Sequence, residues 1–228
     1  MKNVILLAVV AVIGFTSMTV LKPTTFKLDA TKSTIKWTGK KVTGSHWGYI
    51  KFADGQVSVE NNAVVGGTFT MDMTSIDDQD AKGGMGDKLV GHLKSDDFFG
   101  VEKFPKGTLV LKSVTPKSGN DFDVKADLTL KGTTAEITFP ATIAMNGKDL
   151  SVKASFPINR TKFGVKYGSG SFFDNLGDKA ISDDFTVDVD ATATADAMPT
   201  PAAVAAPVVK KKKKKKAKTV APAPASGK

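Results

Sequence analysis

The chain has 228 residues, 41% of them hydrophobic, which suffices for one sizeable domain with appendages. It contains no cysteine, so disulfides, thiolate metal sites and thiol catalysis are excluded together. The formal charge of +9 is confined to one end, where nine lysines follow Ala197; the remainder carries 23 bases against 23 acids, which removes the basic balance as a sign of a nucleic-acid-binding domain.

At the N-terminus Lys2 precedes an apolar run from Val4 to Phe15, followed by the small polar Ser17 and Thr19. That order predicts an export signal over residues 1–21 and a periplasmic or secreted protein. An uncleaved anchor is the competing reading, because with Val20 and Leu21 the run approaches the ~18 residues that can span a bilayer. Thr16, Ser17 and Thr19 interrupt that run and favour export.

From Phe26 to Thr194 apolar and polar residues alternate. Ile35 and Trp37 share one face of a first strand, and Phe69, Met71 and Met73 share one face of a later one. Leu109 and Leu111 come next, then Phe122, Val124, Ala126, Leu128 and Leu130 against Asp121, Asp123, Lys125, Asp127 and Thr129. Ile137, Phe139, Ala141, Ile143 and Met145 repeat the pattern, as do Leu150 to Ile158 and Phe185 to Ala191. Period-two alternation predicts strands with one buried and one wet face. Turn residues separate them at Ala53-Asp54-Gly55, Asn61-Asn62, Ser118-Gly119-Asn120, Lys131-Gly132 and Asn146-Gly147. The domain is therefore all-β, and alternation by itself allows either a barrel or a sandwich.

Two stretches depart from this. Met85, Leu89 and Leu93 are spaced by four and predict a helix, kept short by Gly86 and Gly91. Residues 159–182 form a long Gly-rich connection of the kind often used as a lid or binding loop. Residues 195–228 hold Ala, Pro and Lys with little that packs, and predict a disordered tail.

Several of these stretches together resemble the YceI-like, polyisoprenoid-binding family of exported bacterial proteins. They are Ile35-Lys36-Trp37, Gly44-Ser45-His46-Trp47-Gly48, Gly66 to Ile76, GDKLVGHLKSDDFFGVEKFP at 86–105, DLTLKGTT at 127–134 and FPINRTKFGV at 156–165. The resemblance spans residues 26–194 and implies an eight-stranded antiparallel lipocalin-like barrel, with a short helix at one end and an apolar interior that holds a long-chain isoprenoid or fatty lipid. Gly86 stands where the family commonly has an arginine, and the lysine tail lies outside the family's domain.

If the ring encloses a hollow, the candidate ligand-binding residues are Trp37, Phe69, Met71, Met73, Leu128, Phe139 and Phe156 on strands. Leu89, His92, Phe98 and Phe99 follow from the helix and the aromatics behind it, and His46, Arg160 and Phe163 from the strand ends. Small Ala126, Ala141 and Ala154 among large neighbours leave room for a tail; equally, they fit a filled, tapering core. The stretch SDDFFGVEKFP poses the same choice, since Phe98, Phe99 and Phe104 either seal the core or face a ligand.

Neither histidine has metal-motif spacing, and His46, His92 and Asp87 make only a weak catalytic or metal set, so neither an enzyme nor a cofactor or metal is expected. Arg160, the only arginine, suits a carboxylate or phosphate, with an ion pair to a nearby aspartate as the structural use. Lys210 to Lys216 would attract an anionic membrane surface or an envelope polymer. A nucleic-acid partner would require the chain to escape export. A filled β-domain acting through this tail is the alternative function, and a dimer is open.

Overall fold

Among the described residues alternation produces nine strands: β1 Thr24–Leu28, β2 Thr34–Lys41, β3 Gly44–Glu60, β4 Ala63–Asp72, β5 Lys106–Ser118, β6 Asp121–Leu130, β7 Thr133–Asn146, β8 Asp149–Asn159 and β9 Asp184–Ala195. One α-helix among these residues, α1, spans Met85–Lys94. The computed structural model describes residues 22–81 and 84–196; the predicted export signal, and the predicted tail beyond residue 196, lie outside them.

All pairings are antiparallel. They run β2–β9–β8–β7–β6–β5–β4–β3 and return to β2, so the sheet closes on itself. β1 pairs with the far parts of β3 and β9 (Phe26 opposite Val57 and Ala195), while β2 pairs with their near parts (Trp37 opposite Gly48 and Val187). The two are therefore pieces of one stave, interrupted by the Asp29–Ser33 turn. The product is a closed eight-stave antiparallel barrel with one short helix among the described residues, which settles barrel against sandwich: closure gives every stave a neighbour on both sides.

One expected turn is not a turn. Ala53-Asp54-Gly55 lies inside β3, where the register steps from Phe52 opposite Met71 to Asp54 opposite Thr70. The extra residue makes a β-bulge, which bends the 17-residue strand round the barrel. Gly55 is needed for close approach, since a Cβ there would sit 2.6 Å from the Phe69 ring.

The two ends of the barrel differ. At one, β3–β4, β5–β6 and β7–β8 are joined by two-residue turns, and Asn61 and Asn62 take left-handed φ values of 50° and 62° there. The other end carries every long connection among the described residues: residues 73–105 with α1, and residues 160–183. Helix α1 is as short as its glycines predict. Of its three residues spaced by four, Leu93 is buried, Leu89 is half-buried against the core and Met85 is 61% exposed, so the helix meets the barrel through its C-terminal half.

Candidate functional site

The inward faces of the strands do not fill the barrel. They enclose a hollow in which the centre of a water-sized molecule has about 200 Å³ to move, with an almost wholly apolar lining. Large rings stand on its wall: Phe139 and Phe156 stack at 4.1 Å and 14°, and Phe52 meets Phe69 at 6.3 Å. Between them Ala141, Ala154, Ala191 and Ala193 supply little volume, and the space persists. Ala126 is fully buried but does not reach it.

Of the residues expected from sequence, Trp37, Phe69, Met71, Met73, Phe98, Phe99, Leu128, Phe139, Phe156 and Arg160 line the hollow. Four do not. His46 lies near the turn of the β2–β3 hairpin, opposite Gly39, with its Nδ1 3.4 Å from Asp80 Oδ1. The His92 ring packs edge-on against Phe98 at 4.9 Å and Tyr167 at 4.5 Å. Leu89 is half-buried on α1, and Phe163 is buried in the short 3₁₀ turn Arg160–Phe163.

The adjacent phenylalanines have a clear geometry. Residues 95–104 wind into successive turns on the end of α1: Phe99 N donates to Leu93 O at 3.1 Å, Val101 N to Lys94 O at 3.0 Å and Phe104 N to Gly100 O at 2.9 Å. Phe98 and Phe99 point into the barrel end and reach the hollow. Phe104 instead lies over the β6–β7 turn, where Gly132 has φ +72° and a Cβ would meet the Phe104 ring at 2.6 Å. Two rings cap the apolar space, and the third clamps a turn.

Sequence reasoning missed Ile50, Phe52, Val57 and Ile181, which also line the hollow. The bulge at Ala53 explains three of these. Before it the inward positions are even (Ile50, Phe52) and after it odd (Val57, Val59), so a strict period of two loses register. Ile181 lies in a loop and has no periodic signal.

Arg160 is the charged group deepest in the lining, 3% exposed. Nε donates to Ser182 O at 2.9 Å, Nη1 to Val165 O at 2.9 Å and Nη2 to Ile181 O at 3.0 Å. Nη2 also lies 3.6 Å from Asp183 Oδ1, and the guanidinium sits 5.7 Å from the Phe98 ring. Two of its five N–H groups donate no hydrogen bond. The fork thus ties the long connection to the barrel end. The hydroxyls of Ser169 and Ser171, with help from Arg160, hold the Asp183 carboxyl below the ordinary carboxylate range despite its burial.

The barrel end is sealed on another side by the segment after the 3₁₀ turn Met73–Ser75. Asp77 N donates to Tyr49 O at 3.1 Å and Gln79 N to Trp47 O at 2.9 Å, covering the part of β3 that β4 does not reach. Trp37 Nε1 donates to Asp77 O at 3.1 Å, which satisfies the indole at the wall of the hollow. The same segment gathers His46, Asp78 and Asp80, whose ligand atoms lie within 4.8 Å of one another; among the described residues this is the group that could hold a metal ion. Asp87 does not join it. Burial raises the Asp80 carboxyl, but the Trp47 amide and His46 outweigh it and the net direction is downward.

A family model described as a YceI-like domain matches residues 26–193. Among curated proteins, a UPF0312 protein of Pseudomonas putida is 36% identical over 91 residues, 37% of this chain and 47% of its own length. A UPF0312 protein of Staphylococcus aureus is 39% identical over 83 residues, 33% and 46%, and Protein YceI of Escherichia coli 39% over 80, 35% and 38%. The chain thus spans under half the length of these curated relatives. Among solved structures, Burkholderia cenocepacia BcnA superposes with a TM-score of 0.61 at 25% identity, covering 73% of this chain and 99% of its own. A polyisoprenoid binding domain from Saccharophagus degradans, implicated in plant cell wall breakdown, gives 0.54 at 17%, covering 75% and 98%, and shares the fold.

Proposed function

This chain belongs to the YceI-like family, and we propose that its barrel holds one long-chain apolar molecule, a polyisoprenoid or fatty lipid, outside the cytoplasm. The observation that carries this reading is the unfilled hollow. Its charged lining residues are Lys40 and Arg160, and the Arg160 fork is largely committed to protein acceptors. Such a lining offers a ligand little beyond burial of its hydrocarbon, at ~0.8 kcal/mol per methylene. A molecule with a long slim tail gains most from it. That the Saccharophagus domain is a polyisoprenoid binding domain supports the isoprenoid class. Export rests on Lys2 and the apolar run behind it.

No step of covalent chemistry is needed by this reading, and the protein acts as a binder, not an enzyme. A filled domain working only through the lysine tail has less support, because the core encloses open space. The test is native mass spectrometry of the exported protein, with extraction of whatever it carries, and titration with a fluorescent fatty acid. We expect one equivalent of retained lipid and saturable binding, both abolished in Ala154→Phe. Unchanged binding in that variant, or protein that takes up no lipid of either class, would refute the carrier reading.

A further inference from the structure

The barrel end with the long connections finishes in an exposed apolar rim. Val42 is 66% exposed, Tyr167 46%, Phe172 47% and Phe173 51%. These residues come from two segments tied to each other: Val42 N donates to Ala180 O at 3.3 Å, Ser182 N to Lys40 O at 2.9 Å and Ile181 N to Gly168 O at 2.8 Å. The amides of Phe172 and Phe173 both donate to Ser169 O, at 3.1 and 3.0 Å, and Ser169 is fully buried. The backbone therefore holds both rings outward. A single exposed apolar side chain needs no explanation, whereas a grouped and braced set marks a surface that meets something.

Charge and position say what. The same two segments carry exposed Lys40, Lys41, Lys162, Lys166 and Lys179 against exposed Asp174 and Asp178. Lys166 Nζ lies 4.6 Å over the Phe172 ring, so cation and aromatic share one spot. Aromatic rings flanked by lysines suit the boundary between acyl chains and anionic head groups, with ammonium groups reaching back to the phosphates. The rim is also continuous with the hollow, whose lining includes Lys40, Ile181 and Ser182.

We propose that this rim docks on an anionic lipid bilayer, with Phe172 and Phe173 entering the acyl boundary and the lysines among the head groups. Docking places Ile181 and Ser182, at the end of the hollow, against the membrane surface. The contact itself stands on the exposed rim; its use as the port through which lipid passes rests on the carrier reading.

The test uses the full chain, whose lysine run attracts anionic vesicles by itself, so insertion depth is the readout. Trp is introduced as Phe172→Trp, and as Val65→Trp near the opposite end of the barrel, where Val65 is 52% exposed. Phosphatidylcholine vesicles with phosphatidylglycerol and acyl-brominated lipid should quench the first variant beyond the parent, with its Trp37 and Trp47, and leave the second at the parent level. Phe172→Ser/Phe173→Ser should weaken vesicle binding about tenfold, through lost aromatic burial, with an unchanged melting temperature. Equal or absent quenching at the two sites overturns the proposal. So does a dimer that this double variant dissolves, which would assign the rim to a second copy. Fatty-acid titration of the double variant separates the two readings: retained lipid without insertion sinks docking alone.

Discussion

Arg160 shows how much one residue can be asked to do. Its guanidinium is nearly out of contact with water, faces Asp183 at 3.6 Å and serves three backbone carbonyls. Removing one partner of such a pair leaves a buried charge unmatched, at a cost of about 3–5 kcal/mol. Arg160→Met should therefore lose roughly 3 kcal/mol in urea unfolding, and Arg160→Met/Asp183→Asn should recover part of it. The same cluster sets a pH dependence. Because the Asp183 carboxyl is held below its ordinary value of 3.8 in the folded protein, the folded state binds fewer protons than the unfolded one there. Its stabilisation is complete above that value and is lost as the pH falls through the lowered one. The urea midpoint should drop on acidification below about pH 4, and the drop should be shallower in Asp183→Asn.

Among elements, β3 carries the most demanding local geometry. Its first half pairs with β2 on one side and is covered on the other by residues 77–80. That cover comes so near that a Cβ on Gly48 would lie 2.1 Å from Asp77 O. A glycine is required by proximity and not by its φ. Gly48→Ala should displace the cover and cost about 2 kcal/mol, a fall in melting temperature of roughly 4–8 °C for a domain of this size. Gly66→Ala on β4, where nothing lies within 4 Å, should change stability by less than about 0.5 kcal/mol and serves as the control. Helix α1 follows similar logic: Leu93 anchors it, and the turns that end in Phe104 inherit its direction.

At the scale of the whole molecule, closing the ring gives every stave two neighbours and leaves an interior that the strands' own alanines do not fill. A ligand that binds only this folded ring stabilises it by mass action, by about 2.7 kcal/mol when free ligand is at 100 times its Kd. A saturating fatty acid should therefore raise the melting temperature of the parent chain by roughly 5–11 °C. Ala154→Phe, with the space occupied by protein, should melt at one temperature with or without the lipid.

The all-β class, the strands from β4 to β9, the short helix and most of the aromatic lining were legible in sequence, because a half-wet strand writes its burial as alternation. The resemblance in residues 86–105 and 156–165 pointed to the ring that alternation could not separate from a sandwich. Tertiary structure alone decided the rest. Ala53-Asp54-Gly55 became a bulge because β4 continues alongside it, and that extra residue hid Ile50, Phe52 and Val57 from a period-two reading. His46 and His92 left the candidate lining because strand ends and helix faces have no parity to aim them. Whether alanines leave space depends on what stands opposite across the barrel, a distance between residues far apart in the chain. Local pattern thus determined which residues turn inward, and only closure of the ring decided that they do not meet.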